Sequence, residues 1–283
     1  MNKHFYGWKP QLPDFRDYKY QLREPKKQLP PSADLRPQCP PVVDQGQLGS
    51  CTANSIANGD FFTQMAEKYA DAFAPSRLVI YYNERAMEGT IGTDSGAEIR
   101  DGIKSIANDG VCPETEWPYD ITQFTVKPSQ QCYDDAKCHK AIQYLAVNQT
   151  LDDLRGCLAE GFPVVFGFTV YESFESEEVA KTGIVPMPKD TESVLGGHAV
   201  LCVGYDDSKK TFIVQNSWGT DWGDKGFFYM PYDYLTNPDL ASDMWTIRSV
   251  SDDKPMPPAP TPYIFAKLKE LIAEIEALFK GMK

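Results

Sequence analysis

The sequence predicts an α+β fold built as two subdomains with a cleft between them. Three observations lead there. Apolar residues recur at helical spacing in the first part of the chain. Short runs rich in Val, Ile, Phe and Tyr, separated by Gly and Asp turns, crowd the second part. The 283 residues suffice to bury a core under both, and helices followed by strands argue for segregated layers rather than an alternating parallel sheet.

In chain order, residues 1–28 read as an extended arm, since Pro, Lys, Asp and Arg dominate and no apolar period is sustained. LPPSADLRP (29–37) is bracketed by prolines and is unsuited to a helix. Ala53, Ile56, Ala57, Phe61, Met65 and Tyr69 then recur every three or four residues, predicting a helix from about 51 to 69 with Gly49 and Ser50 leading into it. AEIRDGIKSIAND predicts another over 97–109, ended by Gly110. Strands are expected at 162–170, 198–205, 210–218, 226–230 and 244–250, with DDSKK turning the second back on the third. The expected domain is therefore 29–251, helical over about 38–120 and β-rich over about 121–251. A Pro-rich linker (252–263) leads to an amphipathic helix (264–283), expected to dock on its own core, bind a partner or self-associate.

Forty acidic against 28 basic residues give a net charge of −12, which repels phosphate backbones and excludes nucleic acid as a main partner. No apolar window is long enough to span a bilayer, and residues 1–17 lack the apolar core of a secretory signal. A cytoplasmic location is the expectation, with export by another route left open. The seven cysteines contain no C-x-x-C pair, which disfavours zinc or dithiol redox chemistry, and no metal or organic cofactor is expected. Six of the seven could form three bridges or none.

Three residues draw the chemistry. Cys51 sits where a Gly-rich loop, DQGQLGS, runs into a helix, and helix N-termini lower thiol pKa values. His198 follows Gly196-Gly197 at a strand start, whereas His4 lies in the arm and His139 is expected at the surface. Asn216 ends the neighbouring strand. Each alone is more often structural. Together they supply a thiolate, an imidazole and a group to orient the imidazole. The DDSKK hairpin would bring His198 and Asn216 to the same end of the sheet.

QGxxGSC, GGHAVLCVGYDD and QNSWGTDWGDKGFF, in this order, resemble the papain family of cysteine proteases, with His198 and Asn216 lying 147 and 165 residues after Cys51. GVCPETEWPYD (110–120) resembles the segment after that fold's second helix. The resemblance covers roughly 29–250 and implies the papain-like form of the α+β fold: a helical subdomain, an antiparallel β-barrel-like one, and the active site between them. It implies a cysteine endopeptidase with a covalent acyl-enzyme, acting on peptide or protein substrates. Cys51 would be the nucleophile, His198 its partner and acid/base, Asn216 the orienting group, and Gln45 an oxyanion donor with the Cys51 N–H. Gly49, Gly96, Ala97, Gly197 and Trp218 would line the substrate path, Trp218 also shielding the Asn216–His198 bond. No His-His pair of the cathepsin B occluding-loop kind is present, which leans away from dipeptide removal. The same logic would also serve an acyltransferase, and a non-catalytic homologue would keep the cleft.

Departures from the family accompany the resemblance. Leu48 and Asp94 stand where the family has a disulfide, and Thr52 replaces an aromatic. No charged residue follows Cys51 within its first turn, so no local charge is expected to oppose a thiolate. The arm is too short for the family's helical prodomain, and the expectation is that it lies over the cleft or along the sheet as a shorter regulator.

Overall fold

The computed structural model describes residues 4–22 and 28–251. The predicted linker and C-terminal helix lie outside the described residues.

Seven helices are described: α1 (Cys51–Ala66), α2 (Arg77–Met87), α3 (Ile99–Asn108), α4 (Gln130–Ala136), α5 (Leu151–Ala159), α6 (Glu177–Thr182) and α7 (Tyr232–Leu235). Seven strands accompany them: β1 (Ser32–Asp34), β2 (Ala141–Ala146), β3 (Val164–Tyr171), β4 (Val194–Asp206), β5 (Thr211–Gln215), β6 (Phe227–Pro231) and β7 (Ala241–Val250). The sheet is antiparallel throughout, in the order β2-β7-β3-β4-β5-β6, with β1 added on β4. The β-rich part is thus an open sheet whose path ends at β2 and β6 rather than closing on itself. Among the described residues no helix is long and apolar enough to cross a membrane.

Helix α1 departs from the amphipathic pattern in an informative way. Thirteen of its residues are buried, including Asn54, Ser55, Asn58, Asp60, Thr63 and Gln64. It runs between α2 and α3 on one side and β4 and β7 on the other, so even its polar face is covered. Those polar groups are satisfied internally: Asn54 Nδ2 donates to the Ser50 carbonyl at 2.9 Å, and Gln64 Nε2 to Asp60 at 2.7 Å. A helix buried on all sides is held rigidly, and Cys51 is its first residue.

Helix α5 and strand β2 escape the sequence periodicity. Helix α5 starts at Thr150, whose side chain caps the Asp153 N–H, with Asp152 and Asp153 in the positive first turn. Strand β2 alternates only weakly in burial and is defined by its pairing with β7. All seven cysteines are unbridged in this structure.

Candidate active site

Cys51 and His198 come from the two layers, and hydrogen bonding fixes the imidazole. His198 lies on β4, opposite Phe168 of β3, and Asn216 directly follows β5. The antiparallel β4–β5 register pairs Leu201 with Gln215, which brings both side chains to one end of the sheet. His198 Nε2 and Asn216 Oδ1 are 2.8 Å apart. Asn216 Oδ1 also accepts the Ser217 N–H at 2.9 Å, which orients the amide with its oxygen toward the ring. An oxygen can only accept, so Nε2 carries the proton and Nδ1 is the basic nitrogen of the neutral ring. Nδ1 is buried and has no hydrogen-bond partner among the described residues. The Trp218 ring stacks on His198 with centroids 4.8 Å apart.

The backbone N–H groups of Ala199, the residue after His198, of Gly7 and of Thr52 lie near the Cys51 sulfur and act to favour its thiolate. Gln45 is wholly buried. Its Oε1 accepts the Ser217 hydroxyl at 2.6 Å, leaving Nε2 to donate to the carbonyls of Leu48 (2.9 Å) and Phe5 (3.0 Å).

That last contact belongs to the N-terminal arm, which lies in the cleft as an extended strand. Ala97 N–H donates to the Gly7 carbonyl at 2.7 Å, Lys9 N–H to the Ala97 carbonyl at 3.0 Å, and Trp8 N–H to the Gly197 carbonyl at 2.9 Å. Trp8 thus pairs with Ala97 in parallel. Its indole is buried over Gly167, where a Cβ would come within 2.0 Å of it, and Nε1 donates to Asp243 Oδ2 at 2.9 Å. His4 stacks on Trp218 at 3.8 Å, and the Tyr6 hydroxyl donates to Glu175. Glycine is required at position 7, because a Cβ there would sit 1.7 Å from the Gly49 carbonyl oxygen. It is required again at Gly96, where φ is +68° and a Cβ would meet the Gly7 oxygen at 2.0 Å. Every residue expected to line the substrate path, Gly49, Gly96, Ala97, Gly197 and Trp218, is in contact with this arm.

The arm inverts the electrostatics expected of Cys51. Burial pushes its thiol up to about 12, against which the three N–H donors act only in part. Burial likewise pushes the His198 imidazole down to about 4, opposed by its bond to Asn216. Both groups are therefore neutral at pH 7, and the expected lowering of the thiol by the helix terminus is overridden by loss of water. The first turn from Cys51 carries no charge, but an acidic side chain approaches the thiol from another helix. Glu84 of α2 is buried beside α1 and accepts the Thr52 hydroxyl at 2.9 Å. Burial holds its carboxyl well above the usual range, and its proximity acts with burial to raise the Cys51 thiol.

Asp94, at a position where the family resemblance implied a disulfide partner, instead makes hydrogen bonds to the loop before Cys51. Its carboxylate accepts the Gly49 N–H at 3.0 and 3.1 Å and the Tyr81 hydroxyl, tying the loop before Cys51 to α2. Tyr119 supports the same loop, its hydroxyl donating to the Gln45 carbonyl at 3.0 Å and lying 2.5 Å from Ser50 Oγ. His139, expected at the surface, is half-buried with its ring edge against Phe73. The sequence reading missed Asp94 as a ligand of Gly49, and with it Glu84, Ser217 and Asp243. Their roles depend on long-range contacts, although WPYD around Tyr119 was a visible signal.

Comparison with known proteins agrees with this geometry. The family model described as papain family cysteine protease matches residues 29–246. An uncharacterised peptidase C1-like protein of Acanthamoeba polyphaga mimivirus is 50% identical over 224 residues, spanning 76% of this chain and 72% of the viral one. The thiol protease aleurain of Arabidopsis thaliana is 31% identical over 222 residues, 71% of this chain and 56% of its own. Among solved structures, xylellain, a cysteine protease from Xylella fastidiosa, superposes with a TM-score of 0.81 at 45% identity, covering 86% of this chain and 96% of that one.

Proposed function

Because the chain belongs to the papain family of cysteine proteases, we propose that it is a cysteine endopeptidase held latent by its own N-terminal arm. With the arm out of the cleft, water returns to Cys51 and His198 and the thiolate–imidazolium pair becomes accessible. The thiolate attacks the peptide carbonyl carbon. The carbonyl π electrons move to oxygen, which Gln45 Nε2–H and the Cys51 N–H stabilise. As the tetrahedral carbon collapses, the C–N bond breaks and His198 Nδ1–H gives its proton to the departing amine. A water then loses a proton to Nδ1 and attacks the thioester, releasing the acid and returning the proton to the dyad. Asn216 holds the ring so that Nδ1 is the nitrogen that exchanges protons.

The observation that carries this reading is the arm itself. A peptide main chain lies extended along the cleft, with a carbonyl on the Gln45 amide and its neighbours paired to Ala97 and Gly197. The test is hydrolysis of a fluorogenic peptide library by the Gly7→Ala chain and by the same chain carrying Cys51→Ala. Turnover in the first and none in the second is expected, and equal turnover in both would remove the mechanism. An amine acceptor included in the assay distinguishes hydrolysis from acyl transfer by the product formed.

A further inference from the structure

Away from the cleft, Cys112, in the loop after α3, meets Cys132 in the first turn of α4. With Val79 of α2 they form a small apolar cluster separate from the main core, with Trp117 packed against it. Both thiols are buried, and they are in hydrogen-bonding contact with each other. A carboxylate oxygen of Glu116 completes a triangle: the three ligand atoms lie within 4.8 Å of one another. Asp135, on α4 one turn after Cys132, places its carboxyl against that of Glu116.

We propose that Cys112, Cys132 and Glu116 form a structural site for a thiophilic divalent cation of the zinc class, with Asp135 placed to fill the fourth position. Tetrahedral zinc with sulfur at about 2.3 Å and oxygen at about 2.0–2.2 Å needs ligand atoms about 3.5–3.8 Å apart, so closing the triangle takes shifts of about an ångström. A cation would use both thiols and the Glu116 carboxylate together, whereas a disulfide would use only the thiols. On binding, each thiol gives its proton to solvent and its lone pair to the metal, and no redox change is involved. Filled by protein ligands alone, such a site would be structural, since no position is left open for substrate or water.

Its effect would reach the cleft through the intervening chain. The metal would close residues 112–132 into a ring. Within that ring, the Trp117 carbonyl accepts the Ser76 hydroxyl at 2.8 Å, and Tyr119 holds Gln45 and Ser50. Arg77 lies over the Tyr119 ring at 3.8 Å. A cation would therefore brace the wall behind the loop that enters α1.

The experiment uses the full chain with Cys51→Ala, so that the cleft thiol is not a ligand, treated with chelator and reductant and then titrated with Co²⁺ or Cd²⁺. One equivalent should bind with a thiolate-to-metal absorption band, Zn²⁺ should displace the Co²⁺ band, and the melting temperature should rise by several degrees. Cys132→Ser should abolish the band. Glu116→Gln, at an exposed position that leaves the fold intact, should weaken binding at least tenfold. Cys39→Ser and Cys138→Ser should change nothing. The proposal fails if no band forms at one equivalent, or if Glu116→Gln binds like its parent. It also fails if the metal-free chain instead loses two hydrogens in air to give a Cys112–Cys132 cross-linked peptide and then binds no metal after reduction.

Discussion

The Gln45 side-chain amide donates to the backbone carbonyl of Phe5 at 3.0 Å, so the donor proposed for a substrate oxyanion is occupied by the chain's own arm. The fit around that contact has almost no slack at Gly7, where a methyl group would fall 1.7 Å from the Gly49 carbonyl. The added Cβ is fixed by the backbone and meets a backbone oxygen, so no side-chain rotation relieves the overlap. Gly7→Ala is therefore expected to expel the arm without touching the domain beneath. Iodoacetamide should alkylate Cys51 at least tenfold faster in Gly7→Ala than in the parent at pH 7. Equal rates would mean that the arm does not limit access.

With the arm released, the contribution of Gln45 can be measured. Removing one preorganised oxyanion donor typically lowers turnover by about 10²–10³-fold, or about 2.7–4 kcal/mol of transition-state stabilisation. Gln45→Ala in the Gly7→Ala background is expected to lose kcat by at least 10²-fold with KM nearly unchanged. Circular dichroism would confirm that loss of the Ser217 and Leu48 bonds has not unfolded the loop. A kcat within threefold of the parent would assign Gln45 to structure alone.

Arm docking should depend on pH through His198, most simply in Cys51→Ala, where no thiolate pairs with the ring. Burial under the arm pushes the covered imidazole down to about 4, whereas an uncovered one ionises near 6.5. Its contribution to docking is complete above pH 6.5 and is lost as pH falls toward 4, by up to about 1.4 kcal/mol per pH unit, because only the uncovered form takes the proton there. The fluorine NMR signal of 5-fluorotryptophan at Trp8, followed in Cys51→Ala to prevent self-cleavage, should shift toward a released position between pH 6.5 and 4. A flat profile would show that His198 does not report on the arm.

Asp94 holds the loop before Cys51 by hydrogen bonds to the Gly49 N–H and the Tyr81 hydroxyl. Asp94 is exposed, so these hydrogen bonds are partly screened by water and are worth about 0.5–1.5 kcal/mol together. Asp94→Ala is expected to lower unfolding stability by about that amount in urea titrations and to slow turnover in the Gly7→Ala background by loosening Gly49. Unchanged stability would show that Leu48 packing alone holds the loop.

How much of this could be read from the sequence follows from the range of the interactions. Helices α1 and α3 and all five expected strands were legible because their periodicity or composition is local. The meeting of His198 with Asn216 followed from one hairpin turn. Helix α2 was invisible as a stripe because nine of its residues are buried, Glu84 and Arg85 among them. The Cys51 environment could not be read either. Helix position and neighbouring charges argue for a low thiol pKa, but the deciding quantity is water excluded by an arm more than 40 residues away in sequence. The Asp94 tie and the Cys112–Cys132 contact likewise join residues separated by long intervals, and no spacing rule announces either pair.

The pocket filled by Trp8 bears on substrate choice. The indole occupies a slot over Gly167, where no side chain narrows the opening, and its N–H meets Asp243 Oδ2, which also accepts the Gln11 N–H at 3.0 Å. Burial raises the Asp243 carboxyl, and its backbone is held at φ +62°, a region that Asp and Asn tolerate better than other side chains. When the arm leaves, this carboxyl loses two donors and regains water. Substrate side chains that carry a donor at the end of a long apolar stem, arginine and lysine above all, would replace both the packing and the hydrogen bond. The Gly7→Ala enzyme should therefore favour such residues at the position that reaches this pocket. Asp243→Asn keeps the backbone conformation and removes the charge, and is expected to cut the preference for Arg over Leu by about tenfold in a fluorogenic library, or about 1.4 kcal/mol. If the Arg-to-Leu ratio is the same in both enzymes, Asp243 serves to anchor the arm and not to select substrates.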